Sequence, residues 1–156
     1  MLSLTKKTDY ALIALGYLAE HRNQTVSARE IAEAFAMPAA LVMNILKTLH
    51  HANFLSSTRG TKGGYRLTVD LRKISIHDLI EVLEGPVRLA ECVIVDNESA
   101  GCGEGHCKIG RGCPIQAPIQ ALHTKLVGFL KDVTLAEVLN TSQKKAEAPA
   151  EMVGSK

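Results

Sequence analysis

The chain has 156 residues, 46% hydrophobic and 22% charged. That balance excludes a disordered, collagen-like or disulfide-stapled miniprotein and leaves one globular domain, or a small domain with an added arm. Aromatic residues make up 4%, with no Trp, which argues against a surface built for stacking single-stranded bases and for an aliphatic, helical core. A net charge of +2 says little until it is mapped along the chain.

The longest apolar run near the N-terminus, Ala11 to Ala19, has nine residues, against the roughly 20 that span a bilayer. Lys6 and Lys7 before it would suit a signal peptide, but Thr8 and Asp9 read as helix N-cap residues and Gly16 interrupts the run. The expectation is a cytoplasmic protein whose four cysteines are metal ligands or redox sensors rather than structural disulfides.

Thr8 to Glu20 reads as a first helix, with Leu12, Leu15, Ala19 and Tyr10, Ile13, Tyr17 at helical spacing. Ser27-Ala28-Arg29-Glu30 is a capping box opening a short second helix to about Phe35. Met37-Pro38 breaks it, and Pro38 suits the first turn of a third helix carrying Leu41, Val42, Ile45, Leu46 and Leu49. Two short helices joined by a tight turn predict a helix-turn-helix. Phe54-Leu55 and Tyr65-Arg66-Leu67 then flank the turn-rich stretch Thr58 to Gly64, a hairpin with a basic tip. Directly after the third helix, this makes the unit a winged helix-turn-helix. Residues 34–69 contain no Asp or Glu but carry Lys47, Arg59, Lys62 and Arg66, a local patch of the kind that phosphate neutralisation needs.

Ile74 to Glu84 predicts a further helix, started by Ser75 and ended by Gly85-Pro86, with Ile76, Leu79, Ile80 and Leu83 as core. Residues 92–113 are Gly-rich, carry all four cysteines and show little apolar periodicity. Pro114 to Val133 predicts a long helix, and Ile115, Ile119, Leu122, Leu126, Phe129, Leu130 and Val133 form a seam suited to a partner helix. Palindromic duplex sites supply a reason for a two-fold, so a homodimer is expected. Thr134-Leu135-Ala136-Glu137 is a second capping box, opening a final helix to about Leu139. The predicted fold is therefore mainly α with a small β-wing. A winged helix-turn-helix domain covers residues 1–85, a Cys-rich cluster-binding loop 86–113, a dimerisation helix and short C-terminal helix 114–140, and a disordered tail 141–156.

Cys92, Cys102, Cys107 and Cys113 are not spaced as the C-x-x-C knuckle of a zinc ribbon. Glycine-padded spacing suits a loop around a larger inorganic group, and thiolates are the usual iron-sulfur ligands. Spacing alone leaves cluster, zinc and thiol switch open.

Leu4-Thr5-Lys6-Lys7-Thr8-Asp9-Tyr10-Ala11-Leu12, Arg59-Gly60-Thr61-Lys62-Gly63-Gly64-Tyr65-Arg66-Leu67 and Ala90-Glu91-Cys92 resemble the Rrf2 family of bacterial winged-helix transcription regulators, the family of the IscR, NsrR and RirA proteins. The resemblance continues through Cys107-Lys108-Ile109-Gly110-Arg111-Gly112-Cys113 and Phe129 to Val138, covering about residues 2–140. It implies a homodimer, and for several members an iron-sulfur cluster held by three cysteines whose state changes DNA affinity. Cys107 and Cys113 match the last two cluster cysteines and Cys92 the first. The stretch between Cys92 and Cys107 is longer than usual and adds Cys102, so either Cys92 or Cys102, or both, could complete the set. Where some relatives carry a ligating histidine, this chain has Gln116. Asp9 matches an aspartate that other relatives supply from the partner's first helix. Its local alternative is an N-cap, and His106 reads chiefly as exposed loop.

For DNA, the third helix offers Ala39, Ala40, Met43, Asn44 and Lys47 at its exposed side: Ala39 or Ala40 suits thymine methyls, Asn44 suits adenine and Lys47 phosphate. Related reading helices carry Ser and Glu, so the operator is expected to differ. Arg59 suits minor-groove insertion and Lys62 a phosphate, with Gly60, Gly63 and Gly64 as hairpin formers. Ser27 is a further phosphate candidate, Tyr65 reads as packed under the wing, and His50 and His51 read as solvated.

No Ser-His-Asp spacing, phosphate loop or H-E-x-x-H occurs, and Asp78 and Glu81 read as surface-helix charges, so no enzyme is expected. The leading expectation is a DNA-binding regulator, a repressor, that senses iron, nitric oxide or redox state through a 2Fe-2S or 4Fe-4S cluster. A winged-helix regulator using zinc or a thiol switch, and an iron-sulfur assembly partner that does not bind DNA, are the alternatives.

Overall fold

The computed structural model describes residues 4–60, 63–90, 93 and 113–146, with the side chains of 141–146 left out. The elements are α1 (Lys6–Glu20), α2 (Ala28–Ala34), α3 (Ala39–His51), β1 (Leu55–Thr58), β2 (Gly64–Leu67), α4 (Ile76–Glu84), α5 (Gln116–Asp132) and α6 (Leu135–Ala146). The architecture is mainly helical with one two-stranded antiparallel hairpin, as expected. Cys92, Cys102, Cys107, His106 and Lys62 lie outside the described residues.

The apolar periodicity places the core. Ala11, Ala14, Leu15 and Leu18 of α1 meet Ile31 of α2, the Val42, Ile45, Leu46 and Leu49 face of α3, and Ile76, Leu79, Ile80 and Leu83 of α4. Burying each such aliphatic side chain contributes about 1.5–3 kcal/mol. Leu135, at the start of α6, is fully buried in the same core. An isolated bridge joins Ser75 to Thr134, and the Ala136 N–H donates to the Leu71 carbonyl at 3.1 Å. The chain that follows α5 is thus tied back onto the N-terminal core. Gly16 makes room there, since its missing Cβ would stand 3.4 Å from Leu139 Cδ2.

Both turns around α3 are Schellman closures. After α2, the Met37 N–H donates to the Ala32 carbonyl at 2.9 Å with Ala36 at φ 52°; after α3, the Phe54 N–H donates to Leu49 at 2.9 Å with Asn53 at φ 64°. A left-handed residue reverses the chain and satisfies the last helical carbonyls. This sets α3 across α2.

The ends of two helices, α1 and α6, differ from expectation. Helix α1 starts two residues early, with Thr5 as N-cap accepting the Lys7 N–H at 3.2 Å. Thr8 is buried and donates its hydroxyl to Glu84 Oε1 at 2.9 Å, and Asp9 lies in the first turn, so neither is a cap. Distant Glu84 decides among three local cap formers, because it also accepts from the Thr5 hydroxyl. The Lys7 ammonium donates to the Leu83 carbonyl near the C-terminus of α4, where a cation suits the helix dipole. The other difference is α6, whose backbone stays helical to Ala146 rather than ending near Leu139.

Candidate nucleic-acid interface and cysteine segment

On α3 the core takes Val42, Ile45, Leu46 and Leu49, which leaves Ala39, Ala40, Met43, Asn44 and Lys47 exposed together on the opposite face. Pro38 makes no side-chain cap, so the N-terminal turn carrying Ala39 and Ala40 is open to a ligand's acceptors. Each sequence-predicted reading residue of this helix is on that one face.

The wing pairs Leu55 with Leu67, Ser56 with Arg66, Ser57 with Tyr65 and Thr58 with Gly64. Arg59 and Arg66 are exposed, and Gly60 takes φ 119°. Val26, just before α2, bridges to Tyr65 through N–H···O bonds of 3.0 and 2.8 Å. A Cβ on Gly64 would overlap the Val26 carbonyl, so this glycine does more than form a hairpin: it lets the wing reach the start of α2. Ser27 N-caps α2, its hydroxyl oxygen accepting the Glu30 N–H at 3.1 Å, while the Glu30 carboxylate accepts from Tyr17 Oη at 3.3 Å.

His50 differs from its expected solvated state. It is half-buried, with Nδ1 2.8 Å from the Leu55 carbonyl and Nε2 3.2 Å from Ser57 Oγ. His51 is exposed. Tyr65 is half-buried, as expected for packing under the wing, and its hydroxyl points to Met43 Sδ at 3.7 Å.

Of the expected metal ligands, Cys113 and Asp9 are described. The Cys113 thiol is free and half-buried, three residues before α5, and its carbonyl accepts the Gln116 N–H at 3.3 Å. At the other end of the segment Val93 is fully buried, with its N–H on the Ala90 carbonyl at 3.1 Å. Val93 is thus held in the protein interior next to Cys92, while Cys113 stands at the entry to α5. Asp9 is exposed on α1. Among the described residues no group of three or more His, Cys, Asp or Glu side chains converges as a metal site.

Beyond Cys113, α5 turns His123 inward and leaves Ile115, Leu122 and Phe129 exposed, three large apolar residues seven apart on one stripe. His123 faces α4, where His77 is also buried; both Nδ1 atoms lack a hydrogen-bond partner among the described residues. Burial, and then His77, lowers the His123 pKa. Sequence reading missed both histidines because their spacing within each helix gives no sign of the other. Asp78 also differs from its expected role as a surface charge. Asp78 completes a capping box with Ser75, accepting the Ser75 N–H at 2.9 Å, and the Ser75-x-x-Asp78 pattern was there to find it.

The model of the Rrf2 family, described as "Iron-dependent Transcriptional regulator", matches residues 4–141. The chain belongs to the Rrf2 family. It is a transcription regulator of that DNA-binding family, not an enzyme. Similar proteins include the HTH-type transcriptional regulator IscR of Vibrio campbellii, 27% identical over 91% of this chain and 80% of the relative. The IscR of Vibrio cholerae is 29% identical over 87% and 74%. Among solved structures, T. potens IscR superimposes with TM-score 0.67 at 23% identity, over 98% of this chain and 97% of that one, a likeness of fold. CymR of B. subtilis, titled the global cysteine regulator, gives TM-score 0.62 at 25% identity over 90% and 98%. This Rrf2-family chain thus has the expected winged-helix architecture. No helix of its described residues is long and apolar enough to cross a membrane.

Proposed function

We propose that this Rrf2-family regulator is a cytoplasmic, homodimeric repressor that reports iron, nitric oxide or redox state through an iron-sulfur cluster in its Cys-rich segment. The observation that carries the proposal is the placement of Cys113. It leads into the helix whose Ile115, Leu122 and Phe129 stripe is exposed and whose other side packs on α4. A change at Cys113 therefore bears at once on a dimer seam and on the core that holds α3.

In this reading α3 enters the major groove, with Ala39 and Ala40 against thymine methyls, Met43 beside them, Asn44 on adenine and Lys47 on phosphate. Arg59 enters the minor groove, and Lys62 and Ser27 meet phosphate. Pairing two copies along the α5 stripe sets the spacing of the two reading helices, which half-sites about 34–36 Å apart require. Cys92, Cys107 and Cys113 would hold the cluster, with Cys102 able to replace or join Cys92 and Asp9 reaching in from the second copy. Thiolate and carboxylate donors suit 2Fe-2S or 4Fe-4S iron, and the bound group would supply redox and nitric-oxide reactivity. Residues of this chain then transmit the ligation state: Cys113 through α5, and Asp9 through α1, to the spacing of α3. DNA and ligand affinity are coupled reciprocally.

The test is anaerobic purification with iron, acid-labile sulfide and zinc determined per chain, followed by operator affinity of apo and loaded protein at matched salt. Iron with matching sulfide, lost in Cys107→Ala, and two unequal affinities are expected. A second reading, a regulator whose cysteines form a thiol switch or bind zinc, is favoured by the half-buried free thiol of Cys113, and an oxidised form of Staphylococcus aureus CymR is among the similar structures. Zinc or no metal after reconstitution would select it.

A further inference from the structure

We propose that His50 is a positioning residue that fixes the wing against the reading helix, so that Arg59 engages DNA in register with Asn44 and Lys47. The inference rests on the DNA-binding mode given above. His50 stands in the last turn of α3, and its ring reaches two alternate residues of β1, the Leu55 carbonyl at 2.8 Å and Ser57 Oγ at 3.2 Å. A carbonyl oxygen only accepts, so Nδ1 carries a proton; in the neutral ring Nε2 accepts from the Ser57 hydroxyl. One imidazole thus clasps the first wing strand on either side of Ser56.

The second strand joins the same unit. Tyr65 pairs with Ser57 across the hairpin and sets its ring edge against His50, with centroids 6.4 Å apart. Its hydroxyl reaches Met43 Sδ, on the exposed face that also carries Asn44 and Lys47. The contacts run from α3 through His50 to β1, across the hairpin to Tyr65, and back to α3 at Met43. A two-stranded hairpin is marginal alone, so its direction is set by whatever holds its base. Arg59 lies two residues beyond Ser57, and a small rotation at the clasp is amplified at the guanidinium. Base contacts need positions held within about 0.5 Å, which flexible attachment of the wing cannot give.

The experiment uses full-length protein and a labelled duplex of about 30 base pairs, long enough for two half-sites, selected by the wild-type protein from a random library. His50→Ala should weaken binding about tenfold, the scale of losing hydrogen bonds at the wing's base, and flatten the salt dependence as Arg59→Ala does. In the Arg59→Ala background His50→Ala should cost less than about twofold, because a misaimed wing without its guanidinium has little left to lose. His50→Asn, which can still donate to Leu55 from the δ position, should recover part of the loss. Should His50→Ala fail to fold, Ser57→Ala removes one exposed partner and should show the same dependence on Arg59. Losses that add fully to that of Arg59→Ala would overturn the inference. Wild-type protein that selects no duplex would overturn the DNA-binding mode and the inference together.

Discussion

At the scale of single residues, the sign of a glycine substitution depends on what the missing Cβ would meet. Ala36 closes the helix-turn-helix at φ 52°, where an L side chain is strained and glycine is the usual Schellman residue. Ala36→Gly should stabilise the protein by about 0.5–1 kcal/mol, the relief of strain exceeding the added chain entropy. Gly64 is the reverse case. Its backbone passes so close to Val26 that any Cβ overlaps the carbonyl. Gly64→Ala should cost about 2 kcal/mol or more by forcing the wing away from the start of α2. Thermal unfolding of both variants under the same buffer checks the pair, and equal shifts of the same sign would contradict the geometry. Neither effect is visible in the sequence as a side-chain contact: nothing there marks Ala36, and Gly64 reads as one of three hairpin glycines.

At the scale of elements, regular faces were legible and pairings between faces were not. The aliphatic stripes of α3 and α4 announced which sides enter the core, and the residues left over on α3 are the exposed ones. The α1 start and the His50 clasp depend instead on Glu84 and on β1, partners that no local periodicity specifies. The contact between α4 and α5 is of the same kind. His123 and His77 are buried there, with Glu81 Oε2 3.6 Å from His77 Nδ1 on the solvent side. The folded-state pKa of His123 is lowered by burial and by His77, below its unfolded value of about 6.5. The unfolded chain therefore takes up this proton first. Stability from the neutral ring is complete above the unfolded pKa and is lost as pH falls through it towards the lowered folded value, at no more than about 1.4 kcal/mol per pH unit for one proton. His123→Leu should remove that part of the acid sensitivity, and should cost little near neutral pH because it replaces an imidazole with an unbonded Nδ1 by an apolar side chain. Unfolding midpoints at about pH 7.5 and about pH 5.5 check it; an unchanged drop in the variant would mean that His123 is not the group responsible.

At the scale of the whole molecule, the core is shared by the winged domain and the chain after α5, since Leu135 is buried among residues of α1 and α4. The sequence pattern divides the two, because a long helix after a Gly-rich segment reads as a separate arm; the bridge between Ser75 and Thr134 and the burial of Leu135 reveal the shared core. Helix α5 packs on α4 on one side while Ile115, Leu122 and Phe129 stay exposed, at 59%, 53% and 63%, on the other. Exposed side chains of that size contribute little to the stability of one copy. Introducing charge there tests association without disturbing the fold. Leu122→Glu with Phe129→Glu should leave helicity and the unfolding midpoint of the separated chain nearly unchanged, yet give a monomer by sedimentation, because like carboxylates would face each other across the seam. Two linked reading heads bind a palindrome more tightly than one by about 10²–10⁴. Duplex affinity should fall by that order in the double variant while binding to a single half-site is retained. A dimer that survives both substitutions would place the two-fold on another face, and would remove the route proposed above from Cys113 to the spacing of the two α3 helices.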